Sequence, residues 1–562
     1  DYEIKHAQVS GYDGYPVFSK KSITDISFLT CAQEILKNEK IYAKFATHNA
    51  HTIASIYHLA KNKEYEFQRL YGMGELLYKS AAEVINLKKK PSIYAPIGSY
   101  KDLLPYLVRR LLENGANSSF INRLLDPETD AAWLAENPAL RIKKETKDIP
   151  LPKEIFEKRK NSSGFDISEN YNLQEIEKNL NTFASKKISA ESLYVGRHNE
   201  KSISQKVFSI SNGSEIGSVV FDDPMRIKNI LEKDNDKTWS KKSVEERSRI
   251  LLNIADHIDK EPYELIYFLI NEAGKTLQNA IDEIREAIDF LRYYSEQIKT
   301  IDSKAFLEGP TGEKNNISYS PKGRFLCISP WNFPVAILTG QISAALACGN
   351  NVIVKPSENT SILGYLVIKK FHENGVPLSA LQLILGDGMY GDVLTKIPNI
   401  HGVAFTGSLP TAKKIQKNLI DSQNEITPLI AETGGINVMI VDSSALLEQV
   451  TDDVIRSAFD SSGQRCSALR VLCIQEEIYD DLIEMIKGNM ITQEIGDPNN
   501  FSTDIGPIIN SKAHKKLSQY IENCKEKNMS VFQCESSLKE KYIPPTLIEI
   551  GLISDIKEEQ FG

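Results

Sequence analysis

The sequence has no C-x-x-C pair, and its seven cysteines (Cys31, Cys327, Cys348, Cys466, Cys473, Cys524, Cys534) are odd in number and widely spaced. That pattern argues against a disulfide scaffold or structural zinc and for a reduced, cytoplasmic protein. No apolar run approaches the roughly 18 residues that a membrane-spanning helix needs. The longest, Phe325 to Leu338, is broken by Pro330 and Pro334. Basic excess is lacking too: the formal net charge is −8, which gives no support to nucleic-acid binding. The N-terminus, Asp1-Tyr2-Glu3, has no Met and no signal-peptide pattern, and reads as the interior of a longer protein. What remains is ordinary globular composition, 41% hydrophobic and 25% charged, over 562 residues. Such a length has room for about two to four domains.

One stretch carries unusual chemistry. Phe459-Asp460-Ser461-Ser462-Gly463-Gln464-Arg465-Cys466-Ser467-Ala468-Leu469-Arg470 sets a cysteine among small, polar and basic residues. A structural cysteine usually has apolar neighbours. A solvent-reachable, electropositive surrounding favours the thiolate, so Cys466 is a candidate nucleophile.

Residues 1 to about 125 repeat a rhythm of short apolar runs, polar ends and helical stretches. Ile41–Ala46 leads into Thr47-His48-Asn49, Ser92–Pro96 into Ile97-Gly98-Ser99, and Ser119–Ile121 into Asn122-Arg123. Strands alternating with helices imply parallel βα units, whose chemistry sits at the carboxyl ends of the strands. His48, Tyr94 and Asn122 fall there. Three units cannot close an eight-stranded barrel, so the segment reads as the second part of one. The helix over Asp102 to Leu112 places Leu103, Leu104, Leu107, Val108 and Leu111 on one face. Arg109 and Glu113 lie one turn apart. A solvated ion pair is one reading of them. The other is that Arg109 and Arg110 grip a carboxylate through the guanidinium fork. The residues alone leave both open.

Residues 126–190 read as a linker, punctuated by Pro127, Pro138, Pro150 and Pro152, with one amphipathic helix over Tyr171 to Phe183. From about 191 a doubly wound α/β unit is expected. Its strands are Gly323 onward, closed by the proline-rich loop Ser329-Pro330-Trp331-Asn332-Phe333-Pro334, then Asn350–Glu358, Leu381–Leu385 and Gly402–Phe405. Gly386-Asp387-Gly388-Met389-Tyr390-Gly391 fits a dinucleotide pattern but lacks the acidic partner about 20 residues on, and is read as a turn. Phe405-Thr406-Gly407-Ser408 precedes a helix whose N-terminus could face a pyrophosphate. Lys355 and Glu358 could share a ribose, or pair on the surface. A carboxylate such as Glu358 would accept from a 2′-OH and repel a 2′-phosphate, which selects NAD over NADP. In Ile430-Ala431-Glu432-Thr433-Gly434-Gly435, backed by apolar Val438 to Val441, partial desolvation of Glu432 would raise its pKa toward that of a general base. A surface turn is the plainer alternative.

Two sets of motifs resemble known families. Phe45–Thr52, Tyr65–Glu75 and Tyr106–Ser119 are similar to the second half of the proline dehydrogenase barrel of the bifunctional proline utilization A family. Cys466, Glu432, Asn332, Lys355-Glu358 and Gly407-Ser408 together resemble the aldehyde dehydrogenase superfamily, from about 191 to the end. The Gly-Gln-Arg-Cys-Ser and Glu-Thr-Gly-Gly forms resemble its glutamate-semialdehyde branch, the partner activity in the same bifunctional family. The resemblance implies a fold of two parts. The C-terminal part of a (βα)8 proline dehydrogenase barrel spans 1–125. An aldehyde dehydrogenase fold spans 191–562, with NAD binding at about 191–430 and the catalytic domain at about 431–562.

By that resemblance Arg109 and Arg110 grip the proline carboxylate, Tyr94 and Leu70 line its pocket, Glu113 supports it, and Thr47 and His48 touch FAD. Cys466 is the nucleophile, Asn332 an oxyanion donor and Glu432 the base. Ser467 contacts the semialdehyde, Glu559 holds the nicotinamide ribose and Phe561 lies beside the ring. An acylating, CoA-dependent relative would lack a carboxylate like Glu432, which favours hydrolysis. The implied cofactors are NAD and FAD, with no metal. The implied setting is a cytoplasmic homo-oligomer, peripheral at the inner membrane, passing electrons from proline to a membrane quinone.

Departures temper these expectations. The family's Lys-Gly-Ala-Tyr-Trp-Asp strand and those before it are not in this sequence, so the FAD site is half encoded and no stable flavin is expected. Ile436 stands where the family usually has a polar residue. The chain ends at Phe561-Gly562, before the family's carboxylate-binding segment and oligomerisation flap. Two rivals follow: an inactive fragment, and an aldehyde dehydrogenase of another substrate class.

Overall fold

The computed structural model describes residues 2–562 except 86, 88, 116–131, 133–134, 143–148, 199–201, 235, 303–304, 424 and 539. The expected strand at 119–121 and Asn122 lie outside the described residues. The chain divides into two compact units, Asp1–Val9 with Gly14–Pro152, and Ser10–Asp13 with Lys153–Gly562.

The first unit holds three parallel strands, β1 (Ala43–Ala46), β2 (Tyr65–Leu70) and β3 (Ser92–Tyr94), in that spatial order. Helices Ala50–Ala60 and Glu75–Ile85 connect them. Asn49 caps the first of these by accepting from the His51 and Thr52 N–H groups. That is the local reason the chain turns from strand to helix there. On β1 the side chains alternate buried and exposed, and Ala43, Phe45 and Phe67 pack against Ile53, Ile56 and Tyr78. Helix Tyr100–Gly115 follows, with its expected apolar face open: Leu107 is 50% and Leu111 70% exposed.

The second unit begins with helix Asn170–Asn181 and a three-stranded sheet of β4 (Ile188–Glu191), β5 (Ile203–Phe208) and β6 (Glu215–Phe221). Three helices follow, Val244–Lys260, Tyr263–Asn271 and Leu277–Asp302. The first starts at a capping box between Ser243 and Glu246. After the hairpin β7 (Ala305–Leu307) and β8 (Asn315–Ile317) comes the central sheet. It contains β9 (Arg324–Ile328), β10 (Asn351–Lys355), β11 (Leu381–Leu383), β12 (Gly402–Gly407) and β13 (Leu429–Thr433). Its order is β11-β10-β9-β12-β13 and every pairing is parallel. This is the expected doubly wound arrangement, with the order reversing at β9. Alternate residues feed two separate cores. Cys327, Val352 and Val354 face one, and Leu326, Ile353, Val403 and Phe405 face the other. The remainder pairs β14 (Asn437–Val441) with β15 (Leu469–Ile474) in parallel, and β16 (Ser530–Gln533) with β17 (Thr546–Glu549) antiparallel. Among the described residues no helix is long and apolar enough to cross a membrane.

Candidate active site

The strand register gathers the site. Ile328 on β9 pairs with Lys355 on β10 and Phe405 on β12, and Thr406 pairs with Glu432 on β13. The carboxyl ends of four adjacent strands therefore lie side by side. They carry Asn332, Lys355, Gly407 and Glu432, at the point where ligands bind in such sheets.

Asn332 is buried, and its Nδ2 donates to the Gln464 carbonyl at 3.1 Å. That bond ties the loop after β9 to the loop bearing Cys466. The latter leaves helix Leu447–Phe459 through three left-handed residues, Ser461 (φ 54°), Ser462 (φ 57°) and Gly463 (φ 68°). For the two serines this conformation costs roughly 1–2 kcal/mol each. Side-chain bonds to distant segments hold it. Ser461 Oγ donates to Asn279 Oδ1 at 2.7 Å, Ser462 Oγ to the Gly506 carbonyl at 2.8 Å, and Gln464 Nε2 to the Pro507 carbonyl at 3.2 Å. Asn437 Nδ2 donates to the carbonyls of Cys466 and Ala468 at 2.8 and 2.9 Å. The thiol at the tip is exposed, as the polar neighbourhood suggested, and Ser467 beside it is exposed as well.

Glu432 requires a correction. It is exposed rather than partly desolvated. The physical reason is that β13 is the edge strand of the sheet, while Val438 to Val441 pair with β15 and leave Val438 and Ile440 49% and 81% exposed. The apolar run does not cover the carboxylate.

On the dinucleotide side, Lys355 is only 4% exposed, and its Nζ donates to the Pro356 carbonyl at 3.1 Å and lies 3.8 Å from Glu358 Oε2. Burial lowers its pKa from the usual ammonium value, against the pull of Glu358 and Asp387. Glu358 itself is exposed at the start of a short 3-10 turn. Ser408 caps helix Leu409–Ser422 by accepting from the Thr411 N–H. A buried cation, an exposed carboxylate and a capped helix N-terminus at the strand ends on either side of β9 suit a phosphorylated diol. Gly386-Asp387-Gly388 is a strand-to-helix turn in which Asp387 caps Gly388–Leu394.

Glu559 and Phe561 come to the same place. Glu559 lies 3.6 Å from Arg470 Nη2, and its side chain fills the space a Cβ on Gly434 would need. Phe561 meets Trp331 edge-on at 5.7 Å, and the Arg470 guanidinium stands 5.5 Å from its ring centre.

The aldehyde dehydrogenase family model matches residues 197–562. This chain belongs to the aldehyde dehydrogenase family. A proline dehydrogenase model matches residues 1–123. The bifunctional protein PutA of Escherichia coli strain K12 is 41% identical over all of this chain and 44% of its own length. The chain thus spans less than half the length of that relative. The 1-pyrroline-5-carboxylate dehydrogenase of Geobacillus kaustophilus is 34% identical over 55% of this chain and 61% of its own. The solved structure of proline utilization A from Bdellovibrio bacteriovorus, inactivated by N-propargylglycine, superposes with a TM-score of 0.91 at 28% identity, covering 100% of this chain and 60% of that one.

In the proline dehydrogenase-like unit, the strand ends carry Thr47, His48, Leu70 and Tyr94. His48 Nε2 accepts from the Leu70 N–H at 3.2 Å, and Thr47 Oγ1 accepts from the Asn49 N–H at 3.1 Å. Burial and neighbouring Arg69 lower the His48 pKa. Tyr94 lies 6.4 Å from Tyr106, whose ring faces the Arg110 guanidinium at 5.5 Å. Arg109 is exposed, and the Glu113 side chain lies outside the described residues.

Sequence reasoning missed Asn279, Asn437 and Arg470 as supports of the cysteine loop. Arg470 gave a signal: it stands in the same polar stretch, and its Nη2 donates to the Arg465 carbonyl at 3.0 Å.

Proposed function

We propose that the chain oxidises L-glutamate γ-semialdehyde, the open form of 1-pyrroline-5-carboxylate, to L-glutamate with NAD. This is the second step of proline degradation. The observation that carries the reading is the 3.1 Å bond joining the Asn332 amide to the Cys466 loop. It sets an amide donor and an exposed thiol together at the strand ends. Cys466 Sγ, as thiolate, forms a bond to the aldehyde carbon, and the carbonyl π electrons move to oxygen. The Asn332 amide and the Cys466 backbone N–H stabilise that oxyanion, each donor worth about 3–4 kcal/mol. Lys355, Glu358, Gly407, Ser408 and Glu559, with Phe561 beside them, would hold NAD, which would supply the hydride acceptor. A thioester on Cys466 remains. Glu432 then takes a proton from water, hydroxide adds to the thioester carbon, and the C–S bond breaks to release glutamate and the thiolate. Being exposed, Glu432 meets that water directly. Ser467 contacts the substrate beside the thiol. In the whole protein the N-terminal unit would contribute part of a proline- and FAD-binding barrel, through Thr47, His48, Leu70, Tyr94, Arg109, Arg110 and Glu113.

The full chain with NAD and the semialdehyde should produce NADH, and Cys466→Ala should lose at least about 10³-fold in rate. Wild-type rates in that variant overturn the nucleophile. A panel of aldehydes in which the semialdehyde is not preferred overturns the substrate. Absence of NADH with every aldehyde, while NAD still raises the melting temperature, leaves only a binding protein.

A further inference from the structure

The turn Asn271-Glu272-Ala273-Gly274-Lys275-Thr276 has no part in the chemistry above, yet it places buried charge directly behind the oxyanion loop. The Lys275 side chain is 5% exposed and that of Glu283 0%, and Lys275 Nζ lies 2.9 Å from Glu283 Oε2. The same ammonium stands 4.0 Å from the ring centre of Phe333, the residue after Asn332. Glu283 Oε1 accepts from the N–H groups of Val335 at 2.8 Å and Ala336 at 3.3 Å. These groups open helix Ala336–Ala347. The segment bearing Asn332 is thereby held from two sides, by a cation on its aromatic ring and a carboxylate on its backbone.

Stability alone does not account for the pair. A buried ion pair gains little or nothing over apolar residues of the same volume, because desolvation offsets attraction. What it supplies is a fixed position. We propose that Lys275 and Glu283 are positioning residues for the Asn332 amide, acting through Phe333 and the Val335 and Ala336 N–H groups. The inference rests on the reading of Asn332 as oxyanion donor. Glu272 makes only the backbone half of this arrangement, accepting from the Ile362 and Leu363 N–H groups at 2.8 Å each, behind the Lys355–Glu358 segment. It provides an internal control.

The test uses the full chain. Glu283→Gln keeps an acceptor oxygen and removes the charge facing Lys275. Lys275→Met combined with Glu283→Gln removes both charges and keeps the volume, so the question stays answerable if the single variant does not fold. Either should lower kcat by about 10- to 100-fold, the cost of a misplaced donor. KM for NAD should stay within about twofold, since the nucleotide segment is held elsewhere. In an Asn332→Ala background the same change should alter kcat by less than about twofold, because its effect passes through Asn332. Equal losses in both backgrounds overturn the proposal. Failure of the underlying reading shows separately, as a wild-type chain that makes no NADH from any aldehyde. Amide hydrogen exchange then decides. Exchange over residues 332–336 should rise at least about tenfold in the variants while residues 361–363 stay unchanged. Unchanged exchange at 332–336 overturns the proposal.

Discussion

The three-stranded and five-stranded parallel sheets begin from the same sequence rhythm and end with different coverage. In the central sheet, β10 sends Val352 and Val354 to one core and Ile353 to the other, and all three are at most 1% exposed. In the first unit, β1 buries Ala43 and Phe45 but exposes Lys44 and Ala46, and β3 leaves Ile93 and Tyr94 51% and 54% exposed. Parallel strands are usually buried on both faces. Period and propensity make the strands in each case, while coverage of the second face decides whether a strand end becomes a rigid platform. Asn332 and Lys355 stand on such a platform. Tyr94 does not.

Truncation tests this contrast most strongly. Ile353→Ala should destabilise the second unit by about 2–5 kcal/mol, whereas Ile93→Ala should change stability by less than about 0.5 kcal/mol in urea unfolding. A cost above about 1 kcal/mol for Ile93→Ala would show that its face is covered in the working protein.

A pH-dependent effect comes next. Glu272 is wholly buried, and burial pushes its pKa up to about 8 against the two backbone donors that pull it down. The folded protein thus holds a proton that the unfolded chain releases nearer its ordinary value of 4.5. The corresponding stability is fully present below that value and is lost as pH rises through about 8. Melting temperature of wild type relative to Glu272→Gln should therefore fall between mildly acidic and mildly alkaline buffer. A difference that does not vary with pH would mean the carboxyl is ionised throughout. A smaller loss than that of Ile353→Ala is expected at the helix cap of the first unit, where Asn49→Ala should cost about 1 kcal/mol, read by the same urea titration.

Much of the fold was legible because strand ends follow from local pattern. Asn332, Lys355 and Gly407 fall at or just past the ends of β9, β10 and β12, as the apolar runs predicted. Exposure was not legible where it depended on distant coverage. The run Val438–Val441 looked like backing for Glu432, but its partner strand lies beyond the cysteine loop. Support for that loop was hidden for a related reason: Asn279 and Ser461 are 182 positions apart, and no local periodicity marks the pair.

The strand order has a consequence for how the chain is made. β9 is the middle strand, hydrogen-bonded to β10 on one side and β12 on the other. During synthesis β10 and β11 emerge first and can dock on one edge, while the other edge waits for β12. An unpaired edge is a template for wrong partners, and non-local parallel pairing is slow. Among the strands of this sheet that end with two partners, the one around which the candidate site assembles is thus also the one that waits longest for its second.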